Sequence, residues 1–240
     1  MKKSRLLSAM CACILLVTLS PVNAASIAVT NHSFEQPVVT TIPGFLTSTA
    51  GPFCFASACP SIPGWEFSGL GGLFQPNNTV FPLGAVDGSQ VFFSDARGNG
   101  DAVAVQTLSN TFYQLGIDYS LTVSVGNRAE SFIPFANGEI TLFAGADPKN
   151  IVSTLDLSTI IAPSPGQFSN VTLLVTAADI AATGAVGESI GIRLGGAILT
   201  GQTIFDNVRL SSSAVPVPAA VWLFGSGLLG LIGVARKKAA

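Results

Sequence analysis

Tyr119-Ser120-Leu121-Thr122-Val123-Ser124-Val125 puts an aromatic ring and three aliphatic side chains on one face and three hydroxyls on the other. Successive side chains of a strand point to opposite faces, so this period of two marks a strand buried on one side only. Working outward, Ile140-Thr141-Leu142, Val171-Thr172-Leu173-Leu174-Val175 and Ile190-Gly191-Ile192-Arg193-Leu194 repeat the alternation. Positions 25–30, 91–94, 102–107, 151–155 and 204–210 are further strand candidates, and only 177–182 offers a short helix. About eight or nine short strands without an amphipathic helix predict an all-β fold, an antiparallel β-sandwich or jelly roll. Positions 40–88 break the pattern, being rich in Pro, Gly and Phe, and are expected to form a long functional or restrained loop.

Charged residues make up 10% of the 240 positions, well below the roughly 25% of an average soluble domain. The formal charge of −2 hides a segregation. Lys2, Lys3 and Arg5 lie at one end and Arg236, Lys237 and Lys238 at the other, with all 13 acidic residues between them. The centre sets Arg97, Arg128, Lys149, Arg193 and Arg209 against those 13 acids, a balance of −8. Nucleic acid is therefore not an expected partner, since its phosphates require a basic patch. Glycine-rich phosphate loops and zinc-protease motifs do not occur, and the single histidine, His32, reads as structural. The centre is thus expected to be non-catalytic. A secreted hydrolase with a carboxylate pair stays open as an alternative, because spacing alone cannot identify such a pair.

The two ends read as separate segments. Residues 1–24 combine a basic start, an apolar run from Leu6 to Leu19 and small residues before Ala25, the pattern of a signal peptide cut by signal peptidase. The β-domain is assigned to 25–210, a linker with Pro216, Val217 and Pro218 to 211–218, and a transmembrane helix with a basic cytoplasmic tail to 219–240. Removal of the signal leaves Cys54 and Cys59 as the only cysteines, and an even pair in an exported chain reads as a local disulfide.

The string VPVPAAVWLFGSGLLGLIGVARKKAA, 215–240, resembles the PEP-CTERM sorting tail of Gram-negative bacteria, although no Glu separates Pro216 from Pro218. That resemblance implies a precursor held in the inner membrane with its domain in the periplasm. An exosortase-like protease would then cut at the proline motif, and the domain would pass to the cell surface or an exopolysaccharide matrix.

Within 204–210 the period-two count sets Asp206 on the same face as Ile204, Val208 and Leu210. A buried carboxylate must be paired, protonated or metal-bound; otherwise the strand bulges and frees Asp206 toward solvent or an Arg. Asn31-His32-Ser33-Phe34-Glu35, Pro63-Gly64-Trp65, Asp87-Gly88-Ser89-Gln90-Val91 and Phe205-Asp206-Asn207-Val208 together resemble galactose-binding-like jelly-roll modules. The resemblance implies a structural Ca²⁺ shared by the first and last strands, with Glu35 and Asp206 as its carboxylate ligands. Sugar recognition would use an aromatic platform with polar flanks, for which Trp65, Phe74 and Tyr113 with Arg97, Asn99 and Arg128 are the candidates. The expected function is a polysaccharide-binding or matrix-embedded surface protein, with a purely structural or adhesive protein as the other non-catalytic reading.

Overall fold

The computed structural model describes residues 24–215 apart from 43, 56–58, 60, 96–101, 131–133, 137 and 197–200. The expected signal segment, the Pro216-Val217-Pro218 motif and the 219–240 helix lie outside the described residues. Among the described residues no helix is long and apolar enough to cross a membrane. Residues Asn23–Val215 form one compact unit.

That unit is an all-β antiparallel sandwich. Numbered along the chain, the larger sheet runs in the order β11 (Gln167–Val175), β8 (Ile117–Asn127), β13 (Gln202–Ala214), β6 (Val91–Asp95), β5 (Gly72–Phe74), β3 (Gly51–Phe55) and β2 (Leu46–Ser48). Strand β1 (Ala25–Ile27) pairs with the far part of β13. The smaller sheet runs β10 (Ile151–Asp156), β9 (Glu139–Ala144), β12 (Ser189–Gly195), β7 (Val103–Phe112) and β4 (Glu66–Ser68). Between the sheets lie Leu121, Val123, Val125 and Phe205 from one side and Ile140, Leu142, Ile190, Ile192 and Leu194 from the other, all buried. These are the apolar positions of the alternating runs, and their burial from water is the main stabilising term of the sandwich. The expected short helix is α1 (Ala177–Thr183), started by a reciprocal capping box between Thr176 and Asp179 and closed by left-handed Gly184.

The 40–88 region departs from the expected loop, because β2, β3, β4 and β5 all lie in it. They escape a period-two reading for two reasons. They are short, and β3 and β5 belong to a sheet covered on both faces. Strand β6 shows the consequence: all five of its residues, Val91-Phe92-Phe93-Ser94-Asp95, are buried. Phe92 joins the core between the sheets, while Phe93 joins a second cluster with Phe74, Val80, Phe81, Val91 and Ile204 on the outer face. Val80 and Phe81, from the segment that follows β5, cover that outer face, and Phe81 stacks on Phe168 of β11 at 4.4 Å.

The covering segment is tied down at 86–90. Asp206 lies in β13 opposite Ser124, but two residues, Asn207 and Val208, then stand where one would fit before Arg209 pairs with Thr122. Asn207 takes φ +53° at this bulge. The bulge shifts the alternation by one, so Val208 and Leu210 join Phe205 in the central core while Asp206 faces outward with Ile204. Asp206 is nevertheless fully buried. Its Oδ2 accepts from the backbone N–H groups of Val86 (2.8 Å) and Asp87 (2.9 Å), and its Oδ1 from that of Asn207 (2.6 Å). The strand does bulge, as one reading allowed, yet the carboxylate reaches neither solvent nor an Arg; its partners are backbone N–H groups.

Glu35 grips the other end of the same segment. Its Oε1 accepts from the N–H groups of Ser89 (2.8 Å) and Gln90 (2.6 Å), and its Oε2 from the Ser89 hydroxyl (3.0 Å). Gly88 makes this approach possible: it sits at φ +79°, and a Cβ there would fall 2.3 Å from the Glu35 carboxyl carbon. The Gln90 side chain donates to the carbonyls of Phe34 and Pro37, and the Val208 N–H donates to the carbonyl of His32. The N-terminal turn, the 86–90 segment and the β13 bulge therefore form one clamp.

Two outcomes follow. A Cβ at Gly72 would fall 1.9 Å from the Cys54 carbonyl oxygen, so Gly72→Ala must part β3 from β5 and is expected to cost about 1–3 kcal/mol, read as a lower urea midpoint. Burial pushes Asp206 up to about 7, against the three N–H donors and with added repulsion from Asp87. The folded state then holds a proton near pH 4 to 7 that the unfolded chain, with its ordinary value of 3.8, has released. The associated stability is complete below the unfolded value and is lost as pH rises through about 7, with a slope of at most about 1.4 kcal/mol per pH unit. Urea unfolding in calcium-free buffer should show this decline in the wild type, and Asp206→Asn should remove it while lowering stability overall.

Candidate functional site

The outer face of the larger sheet opens into a cavity of about 230 Å³. Strand register builds its walls. Phe53 lies opposite Phe74, and Phe55 lies opposite Gly72, which in turn faces Phe93, so four phenylalanines share one face across three strands. Gly72 has no side chain, so the Phe55 and Phe93 rings meet across it. The rings meet edge to face, with centroids 5.3 Å apart for Phe53 and Phe55, 5.8 Å for Phe55 and Phe93, and 6.5 Å for Phe74 and Phe93, the arrangement favoured by the ring quadrupole. The β2–β3 turn, through Ser48, Thr49 and Ala50, closes one side.

The opposite rim is polar. Arg128 and Glu130 follow the end of β8, and the Arg128 Nε donates to Glu130 Oε2 at 2.7 Å, with a second contact from the guanidinium to the same oxygen. The other guanidinium nitrogen donates to Gln202 Oε1 at 2.7 Å, and Gln202 Nε2 donates to Asp95 Oδ2 at 2.6 Å. Gln202 and Asp95 are directly paired residues of β13 and β6, so sheet register places this chain. The Arg128 guanidinium also lies over the Phe74 ring, 5.0 Å from its centroid. The Arg128 and Glu130 side chains are only 9% and 16% exposed, so removing one partner leaves a shielded charge unpaired, which is strongly destabilising. An apolar cavity with a few convergent polar groups is the usual form of a small-molecule site.

The structure sorts the candidate ligand contacts. Phe74 and Arg128 come together in this cavity. Trp65 and Tyr113 are corrected, since neither is an exposed platform. Trp65 is 4% exposed, donates from Nε1 to the carbonyls of Thr30 and Asn31, and packs on Phe34 at 5.1 Å. Tyr113 is 1% exposed, its hydroxyl donates to the Phe143 carbonyl, and burial, with Tyr119 beside it, pushes its phenol well above the usual range. Arg97 and Asn99 lie outside the described residues. Cys54 and Cys59 form a disulfide, which ties β3 between Phe53 and Phe55 to the chain that follows it.

Glu35 and Asp206, the expected calcium ligands, are largely committed to hydrogen bonds. A carboxylate offers about four lone-pair sites, and in both Glu35 and Asp206 three are taken by N–H or O–H donors. Among the described residues no three His, Cys, Asp or Glu side chains gather as a metal site. A Ca²⁺ shell of 6–8 oxygens would thus have to come mainly from carbonyls, hydroxyls and water.

Sequence reading missed Phe53, Phe55, Phe93, Glu130 and Gln202. One signal was present in Phe92-Phe93: two adjacent aromatics in a strand can both be buried only if both faces of the sheet are covered. Glu130 and Gln202 carried none, because their meeting depends on the register of β13 with β6 and on the course of the chain after β8.

Comparison with known proteins fixes the family. The family model described as HpiC1-like, HpiC1 cyclase, matches residues 25–211. A Stig cyclase, Fisc, from Fischerella sp. TAU, solved with (3Z)-3-(1-methyl-2-pyrrolidinylidene)-3H-indole, superposes with a TM-score of 0.62 at 22% identity, covering 81% of this chain and 100% of that one. A cyclase from Fischerella sp. TAU in complex with 4-(1H-indol-3-yl)butan-2-one gives the same score, identity and coverage. An apo cyclase from Fischerella sp. matches at 0.62 and 23%, covering 81% of this chain and 98% of that one. At these identities the likeness to solved structures concerns the fold. No curated protein sequence matches the chain.

The family match corrects two expectations. The chain is not placed by a PEP-CTERM tail and a galactose-binding-like module, and a non-catalytic polysaccharide or matrix protein is replaced by a member of an enzyme family. The short motifs Asn31–Glu35, Asp87–Val91 and Phe205–Val208 are the parts of the clamp. From Ala25 to Ser211 the chain belongs to the HpiC1-like cyclase family.

Proposed function

We propose that the protein is a cyclase and that the cavity of Phe53, Phe55, Phe74 and Phe93 is its active site, holding a small indole-bearing molecule while a ring closes. The observation that carries the proposal is the aromatic box itself, with its one polar rim at Arg128, Glu130 and Gln202. Support comes from the family match and from the indole ligands of the structurally similar Fischerella cyclases.

The chemistry suits such a box. Ring closure within one molecule is an isomerisation, in which an electron pair of an unsaturated carbon becomes the new σ bond and the atom count is unchanged. What a protein can supply is a folded conformation with the reacting carbons in contact, and positioning of this kind accounts for a large share of many catalysed rates. The phenylalanine walls press a planar ring into place and keep water from capturing reactive intermediates. Their faces also stabilise positive charge that develops on the substrate.

Two further readings complete the proposal. The chain is exported by its N-terminal segment through signal peptidase, a reading that the Cys54–Cys59 disulfide supports, since such bonds persist outside the reducing cytosol. A structural Ca²⁺ would use Glu35 and Asp206 through the lone pair each retains; its support is that both carboxylates end on the 86–90 segment.

The activity is tested by incubating the protein with unsaturated indole precursors and following mass-neutral conversion by chromatography and NMR. Phe55→Ala and Phe93→Ala should each lower kcat/KM roughly ten- to hundredfold; full turnover in both would place the reaction elsewhere. Calcium should raise the thermal midpoint and chelator lower it, with the effect lost in Asp206→Ala; an unmoved midpoint removes the metal from the account.

A further inference from the structure

Resting on the reading of the cavity as an indole site, we infer that Glu130 determines which rings are accepted: its Oε1 takes a hydrogen bond from an N–H of the bound heterocycle. The site is then selective for aromatic molecules that carry such a donor over their N-alkylated counterparts.

The inference follows from how the polar rim spends its atoms. Gln202 gives its oxygen to Arg128 and its nitrogen to Asp95. Arg128 directs Nε and one terminal nitrogen to Glu130 and the other terminal nitrogen to Gln202. Both bonds that Glu130 receives fall on Oε2, and Oε1 accepts no hydrogen bond among the described residues. It therefore remains the uncommitted oxygen of a carboxylate whose position is set by Arg128. An ionised carboxylate has no proton to give and can be satisfied only by a donor. The four phenylalanine walls offer none, so a ring that displaces solvent from this oxygen has to replace it with a donor of its own.

Arg128 and Gln202 act here as positioning residues. Asp95 and Gln202 are paired across β6 and β13, Gln202 holds the guanidinium, and the guanidinium, seated over Phe74, holds Glu130. The backbone of Gln202 also ties the returning chain, donating to the Pro134 carbonyl and accepting from the Ala136 N–H. A ring lying against Phe55 and Phe93 thus meets an acceptor at a fixed edge of the box.

The test compares two probes on the full chain by calorimetry, 4-(1H-indol-3-yl)butan-2-one and its N-methyl form, and reads the ratio of their Kd values. The wild type should prefer the N–H compound roughly ten- to hundredfold, the range of a hydrogen bond to a charged acceptor. Glu130→Leu should bring the ratio close to one, and Glu130→Gln, a neutral acceptor, should fall between. Because Glu130→Leu leaves a shielded guanidinium unpaired, the double variant Arg128→Met/Glu130→Leu provides the same readout without an orphan charge. A ratio unchanged across the variants, or near one in the wild type, overturns the role of Glu130 while leaving the indole cavity standing. Failure of both probes to bind the wild type overturns the cavity reading together with it.

Discussion

The carboxylate of Asp206 is the fixed point of the molecule. It is an acid buried at the surface of an otherwise aromatic outer face, and it is held there by the N–H groups of Val86 and Asp87. Without partners such a group is costly to bury. With them it anchors the segment that lays Val80 and Phe81 over the larger sheet. Glu35 repeats the device at Ser89 and Gln90. Three non-glycine residues with left-handed backbone, Asn31, Phe34 and Asn207, lie in this same junction, where local strain is sustained by the contacts around it. A second covered face follows, and it is on this face that the aromatic cavity lies.

The long alternating strands were legible in the sequence because one face of each meets the opposing sheet. Leu121, Val123 and Val125 fall inward and Ser120 and Thr122 outward, as a half-buried strand requires. The short strands β3 and β5 were not, since Phe53-Cys54-Phe55 is half-buried on one side and buried at Cys54 on the other, and Gly72-Leu73-Phe74 is buried on both. The count through 204–210 failed for a specific reason: Asn207 inserts a residue, and a slip of one exchanges the faces. Asp206 is buried, one of the two outcomes the count left open, and it does not share a face with Val208 and Leu210.

The functional site was less legible than the fold. Phe74 and Arg128 were two of six candidate ligand contacts, all expected as parts of a sugar platform. In place they form an aromatic box with a shielded ion pair at its rim, a setting that suits a flat apolar molecule with one polar atom. The aromatic residues most conspicuous in the sequence, Trp65 and Tyr113, serve packing: their polar tips are bound to backbone carbonyls and their rings to neighbouring rings. Expectation of a non-catalytic protein rested on the lack of a nucleophile or metal motif. A ring closure guided by shape and aromatic faces leaves no such motif to find.

Under the proposed function, substrate sits on the outer face of the larger sheet and not in the groove beside Trp65, Glu66 and Phe67 on the smaller one. An indole bearing a photoreactive diazirine, cross-linked to the protein and mapped by peptide mass spectrometry, separates the two directly. Label is expected on peptides containing Phe53, Phe55, Phe93 or Glu130, suppressed by an excess of unlabelled indole ligand. Label confined to the Ser61–Ser68 peptide or to Val105 and Thr107 would contradict it.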